Sequence, residues 1–462
     1  MSDLPPANEV VERALAAAGG GGCVVLVEEL HEAEVRFANN TTTTNGVRRD
    51  RRVTAVRTVG AHGGAGGMAA GVASQAGDVD VVALVAAAEA DARGSDPAPD
   101  AAPLVTGEAE AGFTGEAPRT DLGALGGVLA ALSGAFGRAE AAGRVLAGFA
   151  EHRVATTYLG SSTGLRRRHV QPAGAVHLVG RDGSRSAWAG MGTADFADVD
   201  FERLEATVAR GLARAARRVE VPAGRYEVVL PPEAVADLMI GLAGAASGQE
   251  AEEGRTVFSR PGGGTRLGER LAALPFDLWS DPAEPGLESS PFLATGASGA
   301  DISVFDNGLD LGRTDWLRAG HLDHLVHHRA GAARAGTGPS APPGNLVLAV
   351  PDAGGSLDDL VARTERGLLL TCLWYIREVD PATLLLTGLT RDGVYVVEDG
   401  EVVGATNNFR FNESPVDVLT RATEVGATTR ALGREFGEWM NRTAMPPLRV
   451  PDFNMSSVSQ AS

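Results

Sequence analysis

Leu368-Leu-Leu-Thr-Cys-Leu-Trp-Tyr375 is an apolar run followed by two alternating segments that meet at Asp392-Gly393, and a further turn signal, Asp399-Gly400, closes the next hairpin. Segments of this kind, rich in aliphatic and β-branched residues and punctuated by Asp-Gly, read as strands joined by tight turns. Upstream lies a second apolar run, Asn345-Leu-Val-Leu-Ala-Val350. Ser356 with Asp359 then forms an N-cap and near-capping box for a short helix ending at Gly367. The block closes on Asn407-Asn-Phe-Arg-Phe-Asn412, and together these signals predict a strand-rich C-terminal part.

Outward from this block, residues 226–230 form a strand that feeds a helix starting near Pro232 and ended by the glycines at 244–248. Val221-Pro-Ala-Gly224 separates two regions, 1–221 and 222–462. In the first, an amphipathic pattern over residues 10–18 predicts a helix stopped by four glycines, and residues 23–29 and 33–38 predict strands. Thr41-Thr-Thr-Thr-Asn-Gly46 predicts a turn, with a returning strand over 53–59. Asp78 caps a helix to Ala92, and residues 94–120, mixed in Pro, Ala, Gly and Glu without a period, read as a linker. An Ala/Leu/Gly helix pattern runs from 122 to about 150. It precedes strands over 154–159, 175–179 and 185–189, with Asp182-Gly183 as a turn, and a helix over 201–218. Beyond the boundary, a glycine-rich region reaches about residue 344, and the tail 445–462, with three prolines and a polar end, reads as surface. The class is α+β: an N-terminal α/β half with antiparallel sheets and flanking helices, and a C-terminal β-rich domain with few helices.

At 462 residues the chain is long enough for two or three domains of roughly 100–200 residues each. Forty-one basic against 59 acidic side chains give a formal charge of −18, which disfavours nucleic acid and anionic membranes as partners. The arginines Arg48, Arg49, Arg51 and Arg52, and again 166–168, read as solvated faces. Two cysteines, Cys23 and Cys372, both in apolar stretches, predict a reducing compartment without a disulfide framework. Met1-Ser-Asp-Leu-Pro-Pro lacks the features of a signal peptide, and no run reaches the roughly 18 apolar residues of a membrane span. The expected location is the cytoplasm.

This order of elements resembles the C-terminal domain of the TldD/TldE (PmbA) peptidase family, on "SLDDLV", "ERGLLLTCLW" and "TGLTRDGVYVVEDGEVVGATNNFRFNESP" as they stand here. The resemblance continues through "RYEVVLPPEAVADLM" and "EAEVRFANNTTTTNGV", and so covers nearly the whole chain. It implies a heteromeric metallopeptidase acting on unfolded or extended peptides. In the active member, two histidines of a His-Glu-x-x-x-His helix bind zinc and the glutamate activates the metal-bound water, because a bound Zn²⁺ lowers the pKa of its water to about 7. The corresponding helix here reads Pro232-Glu-Ala-Val-Ala-Asp-Leu-Met-Ile-Gly-Leu and has no histidine. Glu233 and Asp237, one turn apart, could bind a hard cation, but they are read as exposed carboxylates that compensate the helix dipole. The resemblance therefore places the chain on the TldE side, with no cofactor of its own, a TldD-like zinc-binding subunit as partner and no catalytic residue in this chain; the alternatives are a self-contained metallopeptidase with a divergent His site and a non-enzymatic peptide-binding scaffold.

Other motifs carry weaker chemistry. His31-Glu-Ala-Glu-Val-Arg36 lacks the second histidine of a zinc motif and reads as polar side chains facing water at the start of a strand. In His321-Leu-Asp-His-Leu-Val-His-His328, the spacing puts His321, His324 and His328 on one helical face, where they could hold Zn²⁺ or Cu²⁺ beside Asp323; a structural or solvent-facing role is the competing reading. Gly160-Ser-Ser-Thr-Gly164 matches G-x-S-x-G but leads into a strand, so it reads as a turn, and Gly63-Gly-Ala-Gly-Gly67 reads as a hairpin or loop. Cys372 reads as a core side chain. Asn407, Asn408, Arg410 and Asn412 are candidate peptide contacts, since amides and an arginine can satisfy an extended backbone; the same groups could instead serve neighbouring loops.

Overall fold

Two asparagines set the N-terminal sheet in motion. The computed structural model describes residues 4–60 and 67–459, so the glycine loop at 63–66 and the last three residues lie outside it. After helix α1 (Ala7–Ala17), strand β1 (Gly22–Ala38) reverses at Asn39 and Asn40, with φ of 52° and 56°, into strand β2 (Thr41–Gly60). Asparagine tolerates this left-handed backbone, whereas the four threonines expected in the turn are β-branched and take extended positions in β2 instead. β3 (Met68–Ala76), α2 (Val81–Gly94, capped by Asp80 rather than Asp78), α3 (Gly126–Ala141), β4 (Val145–Ser161), β5 (Arg166–Asp182), β6 (Arg185–Thr193) and α4 (Phe201–Arg214) complete this half. The sheet order is β3-β2-β1-β4-β5-β6, antiparallel throughout.

Side chains alternate across a strand, so the odd-numbered Val25, Val27, Ala33, Val35 and Phe37 of β1 share one face, which all four helices cover. Val24 and Leu26, on the other face, pack with Leu159, Leu165, Phe292, Val304 and Phe305, joining this sheet to the C-terminal half. The helix expected over 122–150 stops at Ala141, where Gly143 at φ 68° turns the chain into β4. With the short 3₁₀ turn before it, residues 122–141 form the one helical stretch among those described that is long and apolar enough to cross a bilayer. Its Leu125, Val128, Leu132, Ala135 and Ala139 pack against the sheet. Residues 95–120 lack regular structure but are not a loose linker. Thr163 donates to the Val105 carbonyl at 2.6 Å, Arg329 donates to that of Pro103 at 2.7 Å, and buried Phe113 meets Tyr158 edge-on.

The C-terminal half holds two sheets. In the larger, the strand order is Leu373–Asp380, Leu385–Thr390, Asn408–Glu413, Leu448–Ser459, β7 (Gly224–Leu230), Arg366–Leu370, Val394–Glu398 and Glu401–Ala405. The apolar run at 368–375 is thus two strands, cut at Thr371-Cys372, because the chain crosses there from the middle of the sheet to its edge. Asp392-Gly393 makes the return crossing rather than a hairpin, and the two crossings are tied by bonds from Thr371 N to Gly393 O and from Arg391 N to Cys372 O. Asp399-Gly400 closes a two-residue hairpin as expected, with both residues at positive φ. The Ser356–Asp359 capping box is present, on a helix that ends at Ala362 because Gly367 already belongs to a strand.

The tail overturns its surface reading. Leu448–Ser459 is an interior strand between Asn408–Glu413 and β7, and Leu448, Val450, Phe453 and Met455 are fully buried. The second, smaller sheet contains Asp277–Ser280, Thr314–Arg318, His321–Leu322, Leu346–Ala349, Thr443–Met445 and Thr429–Ala431. Helix α5 (Pro232–Gly244) lies in the core shared by both sheets.

Candidate functional site around the start of helix α5

β7 runs through the middle of the larger sheet and hands the chain to Pro231-Pro232, where a proline in the first turn costs no hydrogen bond. The helix that follows is buried from Ala234 to Met239, and Asp237 is buried with it. Its carboxylate is not the exposed dipole partner expected. Backbone N–H groups of three successive residues converge on it: Oδ2 accepts from Arg434 at 2.9 Å, Oδ1 from Phe436 at 2.9 Å, and both from Glu435 at 3.1 and 3.2 Å. Gly433 is required beside them, since a Cβ there would lie 2.4 Å from Asp237 Oδ1. Burial pushes the Asp237 carboxyl up to about 7, the three N–H donors pull the other way, and the Glu435 carboxylate adds to the rise. Glu233, one turn earlier, keeps part of its surface, and burial raises its carboxyl as well.

Around this clasp the two halves meet through aromatic side chains. The Arg434 guanidinium lies 4.4 Å from the Trp374 ring and 5.4 Å from that of Trp188 on β6. His177 on β5 stacks on Phe149 at 4.6 Å; burial, helped by the Arg434 charge, pushes it down to about 3 and keeps it neutral. Glu435 accepts from Tyr375 N and Arg377 Nη1, both at 3.0 Å. Trp439, stacked on Phe436, is 79% exposed, and Tyr375, at φ 51°, is 54% exposed. These belong to the loop after Thr429–Ala431 and to the edge strand Leu373–Asp380, so an exposed aromatic surface stands over the sequestered carboxylate. Nothing in the local sequence of α5 announces it, because the partners of Asp237 lie some two hundred residues further on.

The other candidate residues are placed differently from the spacing argument. His321 sits on a two-residue strand, His324 follows in irregular chain, and His328 is the N-cap of a seven-residue helix, with its Nδ1 accepting from Gly331 N at 3.2 Å. They share no helical face, and among the described residues no three His, Cys, Asp or Glu side chains form a metal-sized group. His31 is buried within β1, not on the surface. Arg51 pairs with Glu29, and Arg166 and Arg167 pair with Glu12, Glu110 and Asp310, so these arginines are tied down rather than merely solvated. Gly160 and Ser161 end β4, and Ser162–Gly164 turn the chain towards β5, with no helix after them. Cys372 is buried, and burial raises its thiol well above the ordinary range. Asn408, Arg410 and Asn412 alternate with buried Phe409 and Phe411, so they share the face away from the core; the strand is paired on both edges, and only side chains remain for a ligand. Asn407 precedes it and accepts from Thr406 Oγ1.

The family model described as the PmbA/TldA metallopeptidase C-terminal domain matches residues 223–457, more than half of the chain. The chain belongs to the TldD/PmbA family. Its fold is that of TldE from Thermococcus kodakarensis, with a TM-score of 0.77 at 17% identity over 96% of this chain and 98% of that one. A proposed modulator of DNA gyrase from Thermotoga maritima matches with a TM-score of 0.74 at 16% identity over 96% and 99% of the two chains. Another from Bacteroides thetaiotaomicron gives 0.73 at 14% over 97% and 98%. No curated protein matches the sequence at a significant level. With the family's His-Glu-x-x-x-His pattern laid on α5 so that its glutamate falls on Glu233, the histidine positions fall on Pro232 and Asp237. Proline offers no side-chain donor and Asp237 already accepts four N–H bonds, so these residues do not make a zinc site.

Proposed function

We propose that this chain is the TldE-like subunit of a cytoplasmic heteromeric peptidase that degrades or matures unfolded peptides, and that a TldD-like partner brings the zinc and the catalytic glutamate. The observation that carries this reading is the Asp237 clasp: at the place of a zinc-binding side chain, the protein has a carboxylate whose acceptor capacity is used up by its own backbone. A catalytic metal needs ligands with free lone pairs and an open position for water. The exposed Tyr375 and Trp439 offer a surface for the partner, since aromatic side chains dominate the centres of protein interfaces. Asn408, Arg410 and Asn412 are proposed to touch an extended peptide through their side chains alone.

The purified chain, a TldD-like chain and their mixture are assayed on a labelled unstructured peptide. Cleavage is expected only in the mixture, and a chelator should abolish it. Chelator-sensitive cleavage by this chain alone would overturn the division of labour.

A further inference from the structure

Between the ends of β5 and β6 and the segments 286–288, 430–431 and 441–443 lies a cavity of about 80 Å³. Three basic side chains line it, His169, Arg430 and Arg442, together with one carboxylate, Glu288. Their charges are treated unequally. Arg430 forms an ion pair with Asp198 and donates to the Gly286 carbonyl at 2.7 Å, so it is balanced. The one carboxylate on the wall, Glu288, accepts from Gly286 N at 3.0 Å and faces Arg430. His169 is hydrogen-bonded to Gln171 Oε1 at 3.0 Å, and burial lowers its pKa, so it adds no charge at neutral pH.

Arg442 is the exception. Its Nε donates to the Gly344 carbonyl at 3.2 Å and its Nη1 makes a long contact of 3.4 Å with Asn441 Oδ1. No carboxylate of the described residues lies within ion-pairing distance, although burial costs the guanidinium enough to lower its pKa. Arg442 is half-buried, and the outer edge of a guanidinium presents two parallel N–H groups that match the two oxygens of an anion. The cavity beside that edge has room for several atoms.

The geometry points to an oxyanion site here: the outer edge of Arg442 takes one carboxylate- or phosphate-sized group, either a free ion or the terminal carboxylate of a peptide. The inference is independent of the zinc assignment, since it concerns a charge in this chain that no side chain answers.

The test uses the full chain with two probes: inorganic phosphate, followed by calorimetry and by melting at matched ionic strength, and a labelled peptide with a free or an amidated C-terminus, followed by fluorescence anisotropy. Wild type is expected to bind phosphate, the free-acid peptide or both, and Arg442→Met is expected to weaken that binding by about tenfold or more. Phosphate alone identifies a free-ion site, and the free acid bound over the amide identifies the peptide terminus. Binding of neither probe to folded wild type, or equal binding by wild type and Arg442→Met, overturns the proposal. Should Arg442→Met fail to fold, Arg442→Lys keeps the charge but loses the paired N–H edge, and unchanged phosphate-dependent melting in that variant would overturn it equally.

Discussion

Asp237 and Arg442 are both ionisable side chains of the C-terminal half, one on helix α5 and one just before the strand Thr443–Met445. The chain answers the first from within: three backbone N–H groups close on the carboxylate, and a glycine makes room for them. It leaves the second facing a cavity, with only carbonyl and amide oxygens on its inner side. A charge whose partners are built into the fold stabilises one conformation, and a charge left open keeps its interaction energy for a ligand. The same protein therefore encloses the carboxyl on α5 within its own backbone and leaves a half-buried guanidinium on the wall of a cavity.

The strongest way to break this comparison is to remove the enclosed carboxyl. Asp237→Ala leaves the N–H groups of residues 434–436 without acceptors in a buried setting and is expected to cost about 3–5 kcal/mol near pH 6, read from urea unfolding. A loss under about 1 kcal/mol would mean that water or another group replaces the carboxylate and that the clasp does not hold the loop.

The next effect is a dependence on pH. Because Asp237 is pushed up to about 7 from 3.8, the folded protein holds this proton more tightly than the unfolded chain. Its contribution to stability is complete below about pH 4 and is lost as pH rises towards about 7, by at most about 4 kcal/mol. The Glu435 carboxylate and the Cys372 thiol are the titratable groups that act on it or feel its charge. Asp237→Asn should flatten this part of the stability profile; an unaltered slope would assign the proton elsewhere. Gly433→Ala is a smaller perturbation of the same clasp. It drives a methyl group against Asp237 Oδ1 and is expected to cost about 1–3 kcal/mol, with the loop around Trp439 becoming more open to proteolysis.

The sequence revealed what is local. The capping box at Ser356, the Asp399-Gly400 hairpin, the proline-led start of α5 and the α+β class were readable because each depends on residues close together in the chain. The Asp237 clasp was not, because its donors are main-chain groups from 434–436 that carry no side-chain signature. The tail misled for a different reason. A bulge between Val450 and Phe453, with Asp452 at φ 56°, shifts the phase of the apolar alternation, so an interior strand looks irregular and its prolines look like a surface signal. The histidines at 321–328 show the converse fault, a helical spacing on a segment that only becomes helical at Arg329.

The smallest expected effect sharpens the comparison most. Arg442→Met removes the open charge while keeping a long apolar stem to fill the same space, and without an anion it removes a desolvation cost as well as two weak hydrogen bonds. These terms oppose each other, so the change in unfolding free energy should stay within about 1 kcal/mol of zero, in either direction, at low salt. Asp237→Ala and Arg442→Met would then differ by several-fold, although each deletes one ionisable side chain from the same half of the molecule. A loss from Arg442→Met as large as that from Asp237→Ala would show that the guanidinium is already answered inside the fold, and the contrast between a closed and an open charge would fail.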